Sequence, residues 1–199
     1  MERIEVEQLS DEWYAARCGV PTVSRFADFI TPARGDYSKS AVRYIARLIR
    51  ETVSGPVRGY TSAAMLHGIV TEDEAAAWYE FAHDCETEKV GLILNKGAGW
   101  SPDRLAGVKG AIEIKCPEPE THIMWLLNGG LPVEHKPQCH GAIIIGELKW
   151  LDFVSYCPGY KTLVVRVVSD DYTAKVGTAL TKFLIQYSVA RKEVIGNVE

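Results

Sequence analysis

AIEIKCPEP, residues 111–119, places an acid and a lysine two positions apart inside an apolar run and then ends the run with prolines. Charges in a core segment are costly to desolvate, so Glu113 and Lys115 need an explanation. Two readings are open: a plain strand-end ion pair, or a pair presented to a substrate. Strand periodicity sends Ile112 and Ile114 to one face and Glu113 with Lys115 to the other. The two charged groups then stand about 7 Å apart along the strand.

Ten residues before Glu113 stands Asp103, in GWSPDRLAG. Pro102 and the flanking glycines predict a turn, and a hairpin through 104–110 brings Asp103 beside Glu113. Glu72 begins an acidic helical run. Three carboxylates and a lysine converging on a strand end make a site for Mg²⁺ or Mn²⁺, which take hard oxygen ligands and keep room for water and phosphate. Such an ion lowers the pKa of a water and stabilises charge developing on phosphate. Lys115 then orients or deprotonates the nucleophile, or offsets the phosphate charge. The ordinary explanations are a turn aspartate with a surface ion pair, and for Glu72 a favourable acid at a helix N-terminus.

The chain around this stretch changes period. DEWYAARCGV (11–20) reads as a short helix stopped by Gly19 and Pro21. Ser24 is placed to cap a second helix, SRFADFI, and Ser38 a third, SAVRYIARLIRETV, whose Val42, Ile45, Ala46 and Ile49 recur at helical spacing. TPARGD (31–36) is a loop, and 60–83 is helical. VGLILN (90–95), AIEIK, GAIIIG (141–146), WLDFVSY (150–156) and TLVVRVVS (162–169) read as strands. THIMWLLNGG is a short helix, and a last helix runs from about Asp171 to Arg191. The expected fold is α/β (α+β), a central mixed sheet flanked by helices. One domain of 1–199 is expected: a mostly helical part (1–70), a core that carries the three carboxylates (71–170) and a C-terminal helix (171–199).

Composition narrows the class. The 199 residues are 47% hydrophobic and 24% charged, with no repeat or low-complexity tract, enough for a substantial core. No apolar run approaches the ~20 residues of a membrane span, and MERIEVEQLSDEW lacks a signal-peptide core. Five scattered cysteines without a C-x-x-C indicate neither a disulfide framework nor a zinc ribbon. His135, Cys139 and His140 lack a sensibly spaced fourth ligand. The expected setting is the cytoplasm. A net charge of −4 argues against a generic nucleic-acid binder, yet residues 13–59 hold eight Lys/Arg against three acids, while 71–90 hold seven acids against Lys89 alone. That suits a polyanion gripped beside a metal centre. Two solvated helix faces of opposite sign explain it equally.

SPD, nine residues, then E-x-K is the signature of the PD-(D/E)xK nuclease superfamily. SPD…IEIKCP resembles, more narrowly, the phage lambda exonuclease and viral recombinase (YqaJ-like) family. Four further segments agree in order across roughly 11–170. EWYAARCGVPTVSRF resembles the family segment in which an arginine and a serine hold the DNA 5′-phosphate, here Arg17 and Ser24. HGIVTEDEAAAWYE resembles the helix with the first acid, here Glu72. HKPQCHGAIII carries the matching glutamine, Gln138, and KWLDFVSYCPGY resembles the strand and turn that follow. In one respect the chain departs: LILNKGAGW lacks the extra aspartate that the best-known relative carries before SPD. One firmly bound metal is therefore expected, on Asp103, Glu113 and the Ile114 carbonyl, with Glu72 near it, directly or through water.

The resemblance implies a Mg²⁺- or Mn²⁺-dependent 5′→3′ exonuclease that digests one strand of linear double-stranded DNA. It leaves a 3′ overhang for a single-strand annealing protein, in a phage-infected or prophage-carrying bacterial cell. The implied catalytic set is Glu72, Asp103, Glu113, Lys115 and Gln138. Met65 falls where the family places an apolar wedge between bases, Arg34 is a candidate DNA contact, and the implied assembly is a ring-shaped homotrimer. The alternatives are an endonuclease on the same fold and a non-catalytic DNA-end-binding module.

Overall fold

The computed structural model describes residues 1–56 and 63–196, with side chains of the helix that begins at Ala63 described from Thr71 onward. In chain order the elements are β1 (Glu2–Ile4), α1 (Asp11–Ala16), a 3₁₀ turn (Val23–Asp28), α2 (Ala41–Ser54), α3 (Ala63–His83), β2 (Thr87–Glu88), β3 (Leu92–Asn95), β4 (Ala98–Trp100), β5 (Arg104–Ala106) and β6 (Gly110–Lys115). After them come α4 (Pro119–Asn128), a 3₁₀ turn (Val133–His135), α5 (Lys136–Gly146), β7 (Trp150–Ser155), β8 (Leu163–Val167) and α6 (Asp171–Ile195).

The main sheet has the order β2-β5-β6-β7-β8, and a small one has the order β1-β3-β4. In the main sheet β6 and β7 are parallel and the other pairs antiparallel. The parallel pair needs a long crossover, which here contains α4 and α5. This is the expected α+β fold with a mixed sheet between helices.

Alternation along β6 sorts the two cores. Ile112 and Ile114 pack with Ala106 and Val154 against Ala75, Ala76 and Tyr79 of α3. Each isoleucine contributes about 1.5–3 kcal/mol by burial. Ala111, Leu151 and Phe153 face the opposite side, where α2, α5, α6 and the first 3₁₀ turn build the larger core. Glu113 shares that second face.

Three expectations are corrected. GAIIIG is the second half of α5 and not a strand. Helix α5 starts with Pro137 in its first turn and is buried or half-buried all round, with His140, Ala142, Ile143 and Ile145 fully buried. A short buried helix and a buried strand cannot be separated by periodicity. A Cβ at Gly141 would lie 2.5 Å from the Phe26 ring, so glycine permits the close approach of α5 to the 3₁₀ turn. SRFADFI is mostly that 3₁₀ turn, preceded by Thr22, and Ser24 caps nothing. The apolar face of α2 is Ala41, Tyr44, Ile45, Leu48 and Ile49, and Val42 is exposed. Its start is shifted two residues from expectation, with Ser40 as the cap residue rather than Ser38.

A candidate nuclease active site

Asp103 follows Pro102 in the turn that enters β5. The β5–β6 register pairs Arg104 with Ile112, so one further step sets Asp103 opposite Glu113. Its Oδ2 accepts the Ile114 backbone N–H at 2.7 Å. Gln8 Nε2 donates to the Pro102 carbonyl at 2.9 Å and to the Val90 carbonyl at 3.0 Å. Arg104 Nη1 donates to the Asp103 carbonyl. The turn is thus held on both sides of the aspartate.

Glu113 is 1% exposed. Lys115 Nζ and Gln138 Nε2, the latter brought in by α5, both donate to its Oε1. Among the described residues, Glu113 Oε2 and Asp103 Oδ1 are left without a protein donor. Burial pushes the Glu113 carboxyl up to about 7, Asp103 adding to the rise and Lys115 opposing it. Burial likewise raises Asp103, against Lys115 and the Ile114 N–H. For Lys115 burial by itself would lower the ammonium, but Glu113 and Asp103 hold it above its ordinary value.

Glu72 stands in the middle of α3 and not at its start, so a helix N-terminus does not explain it. It approaches from the α3 side of the sheet. Its carboxylate accepts from Arg104 Nη1 at 3.0 Å, and burial and Asp103 raise its pKa while Arg104 opposes. Arg104, whose side chain is 6% exposed, also binds Asp73. Glu72 therefore feels the site's charge while its carboxylate is bound to Arg104.

Arg17 and Ser24 come to the same place from the N-terminal segment. They line one cleft of about 200 Å³ with Asp103, Glu113, Lys115 and Gln138. That is the room of roughly six or seven waters at about 30 Å³ each, enough for a phosphate group and its hydration. The Arg17 guanidinium lies 3.8 Å over the Trp13 ring, and its Nη1 donates to Ser101 Oγ at 3.1 Å. Burial lowers its pKa to about 10, which leaves it charged at neutral pH. Ser101 Oγ also accepts from Trp13 Nε1 at 2.8 Å, so its own proton is what it can offer a ligand. Among the described residues, the only buried side-chain polar atom with no partner is the indole nitrogen of Trp100, another lining residue.

The donor set also fits a divalent cation. Asp103 Oδ1 and Glu113 Oε2 are hard oxygens with no competing donor, and the cleft has space for water. Among the described residues no three His, Cys, Asp or Glu side chains gather as a metal cage. Mg²⁺ is held by one or two carboxylates and keeps several waters, so two suffice.

Arg34 is not in this cleft. It is on the exposed TPARGD loop, where its Nε pairs with Asp36 at 3.3 Å, and Lys175 of α6 reaches its carbonyl at 3.4 Å. Met65 lies outside the residues whose side chains are described. Sequence reasoning missed Gln8, Trp13, Trp100, Ser101 and Arg104. Trp13 stands four residues before Arg17, a helical spacing that could have signalled the stack. Arg104 follows Asp103 on a strand, so alternation aims it at α3. For Gln8 the sequence holds no signal.

The fold and this cleft define a nuclease. A model of the YqaJ-like viral recombinase domain matches residues 12–149, and the chain belongs to that family. It is similar to the alkaline exonuclease LHK-Exo from Laribacter hongkongensis at 33% identity, over 93% of this chain and 96% of that one, with a TM-score of 0.83. The same exonuclease in complex with dAMP matches at 33% identity and equal coverage, with a TM-score of 0.82. A phage-related exonuclease from Haemophilus somnus 129PT, 11% identical over 86% of this chain and 96% of that one, shares the fold with a TM-score of 0.64. No protein of curated function matches in sequence.

Proposed function

We propose that this nuclease is a Mg²⁺- or Mn²⁺-dependent 5′→3′ exonuclease that degrades one strand of linear duplex DNA from its 5′ end. The observation that carries the reading is one cleft lined by Arg17 and Ser24 from the N-terminal segment and by Asp103, Glu113, Lys115 and Gln138 from the core. A site that holds the terminal phosphate next to the cutting groups measures its cut from the 5′ end.

Each side chain has a task. Arg17, kept rigid by Trp13 and Ser101, binds the terminal phosphate with Ser24. Asp103 and Glu113 hold the divalent ion with the Ile114 carbonyl, and Glu72 stands by, directly or through water. When bound, the ion supplies a Lewis acid that lowers the pKa of a water and stabilises charge on the phosphate. Lys115, an ammonium beside two carboxylates, donates hydrogen bonds and offsets phosphate charge. Gln138 fixes the rotamer of Glu113. Arg34 and Met65 contact DNA outside the cleft. The chain works as a ring-shaped homotrimer in the cytoplasm of a bacterial cell, from a phage or prophage gene. It leaves a 3′ strand for an annealing protein.

Incubation of the protein with Mg²⁺ and no ATP should shorten 5′-phosphorylated linear duplex and leave covalently closed circles intact. Lys115→Ala should abolish the activity, and Arg17→Ala should erase the preference for 5′-phosphate over 5′-hydroxyl ends. Cutting of closed circles would turn the reading into an endonuclease. Intact linear DNA in every metal tried would leave a DNA-end-binding module. The ring requires a mass in solution three times that of the 22.1 kDa chain.

A further inference from the structure

We infer that the outward face of α2 is a second DNA-binding surface, which tracks backbone phosphates beyond the cleft; this rests on the nuclease reading above. The buried face of α2 uses Tyr44, Ile45, Leu48 and Ile49. The opposite side carries Arg43 and Arg50, both exposed, with Arg47 half-exposed between them. Glu51 is the only acid in the helix, and it pairs with Arg47 at 3.1 Å. Arg43 and Arg50 have no acidic partner among the described residues.

Arginines at i, i+4 and i+7 repel one another, a cost of a few tenths of a kcal/mol per pair. Nothing within the helix offsets it for Arg43 and Arg50. A polyanion would. From Arg43 to Arg50 the helix rises about 10 Å, the axial rise of about three phosphates on one DNA strand. Arg43 and Arg50, at the two ends of that rise, can thus each meet a separate phosphate of one strand.

The helix also joins the cleft. Cys18 Sγ and the Gly19 N–H, directly after Arg17, bond to the Glu51 carbonyl at 3.0 Å and to Glu51 Oε2 at 3.4 Å. The Thr22 N–H donates to the Tyr44 hydroxyl at 3.0 Å. The cleft wall that holds Arg17 and Ser24 therefore rests on α2, and Arg47 sits at their seam through Glu51. DNA whose end is in the cleft passes Arg47 and then lies along the helix. The −4 net charge does not oppose this, because the acids are concentrated in residues 71–90.

The test is equilibrium binding of a 5′-phosphorylated duplex and of a single strand of equal length in EDTA, across a salt series. Arg43→Gln/Arg50→Gln keeps the Arg47–Glu51 pair and so the fold, checked by an unchanged Tm. The slope of log K against log salt should fall by about two, and affinity at about 0.1 M salt by roughly tenfold. In Mg²⁺ the kcat at saturating DNA should stay unchanged, and Arg43→Lys/Arg50→Lys should behave as wild type. The form of DNA that shows the lost slope is the one on the surface. An unchanged slope on both forms, while wild type still degrades DNA, overturns the surface and leaves the nuclease reading standing. Lost trimer mass at unchanged slope overturns it too, by assigning α2 to a protein interface. Wild type that neither binds nor degrades DNA removes both.

Discussion

Two buried carboxylates on neighbouring strands, Glu113 of β6 and Asp152 of β7, are equally hidden at 1% and 2% exposure and are met by the protein in opposite ways. Asp152 faces α3. Arg166 holds both its oxygens at 2.8 Å, and the Tyr79 hydroxyl adds a third bond at 2.6 Å. Every acceptor is met from within the protein. Glu113 faces the cleft. Its two donors share one oxygen, a second carboxylate stands opposite, and its pKa is driven up to about 7. Burial alone therefore does not mark a functional acid. What marks it is an oxygen left over and a like charge for a neighbour, the combination that perturbs titration at active sites.

The comparison is most sharply broken by exchanging each acid for its amide. Glu113→Gln should reduce nuclease activity by about 10²–10³-fold, the scale on which a group stabilising transition-state charge acts. Its Tm should hold, since the amide carries no charge to bury. Asp152→Asn should do the reverse. Losing a charge-assisted acceptor for Tyr79 and Arg166 costs about 2 kcal/mol, or roughly 4–8 °C in Tm for a chain of this size. Mn²⁺ binding, measured by calorimetry, should be unaltered. If instead Asp152→Asn loses the metal and Glu113→Gln loses the fold, the assignment of roles is backwards.

A smaller effect sharpens it. Gln138→Leu removes one of the two donors on Glu113 Oε1 and should weaken Mn²⁺ binding about 10-fold, the lower end for a group that orients a ligand. Gln138→Glu, which loses the same donor but adds a carboxylate that attracts the cation, should retain more Mn²⁺ affinity than Gln138→Leu. Wild-type affinity in both variants would show that Gln138 does not position Glu113.

The smallest effect is on stability at acid pH. Burial and the Lys115 charge lower His135 to about 4, with Glu134 opposing. Burial also lowers His140, against Asp170. Unfolded histidines titrate near 6.5, so between about 4 and 6.5 these two histidines bind more protons in the unfolded chain. Stability is present above that window and is lost as pH falls through it. The raised carboxyls of Glu113, Asp103 and Glu72 act in the opposite sense over the same window, so the histidine contribution is read as a difference: the Tm of His135→Gln relative to wild type should rise as pH falls from 7 to 4.

How much of this was legible in the sequence differs by element. AIEIK, WLDFVSY and TLVVRVVS are strands because each alternates or is β-branched between breakers, and α6 starts where Asp170 caps it. GAIIIG was misread because α5 is surrounded by the 3₁₀ turn, α6, β3, β4 and β7, and burial on all sides erases the helical period. β1 was not expected at all: two exposed residues and one half-buried one carry no alternation, and pairing with β3 alone makes them a strand.

The site divides in the same way. The chemistry of Asp103, Glu113 and Lys115 is local, because strand alternation and a tight hairpin fix which side chains share a face within about ten residues of chain. The amino-acid sequence determined that by itself, along with the excess of arginines over acids in residues 13–59. Tertiary structure decided the rest. Gln138 reaches Glu113 because α5 crosses the sheet, Arg17 lines the same cleft because α1 docks on Ser101, and Glu72 reaches Arg104 because α3 packs on the opposite face of the sheet. The side-chain partners in these contacts lie 25 to 84 residues apart, and no local periodicity encodes which distant surfaces will meet.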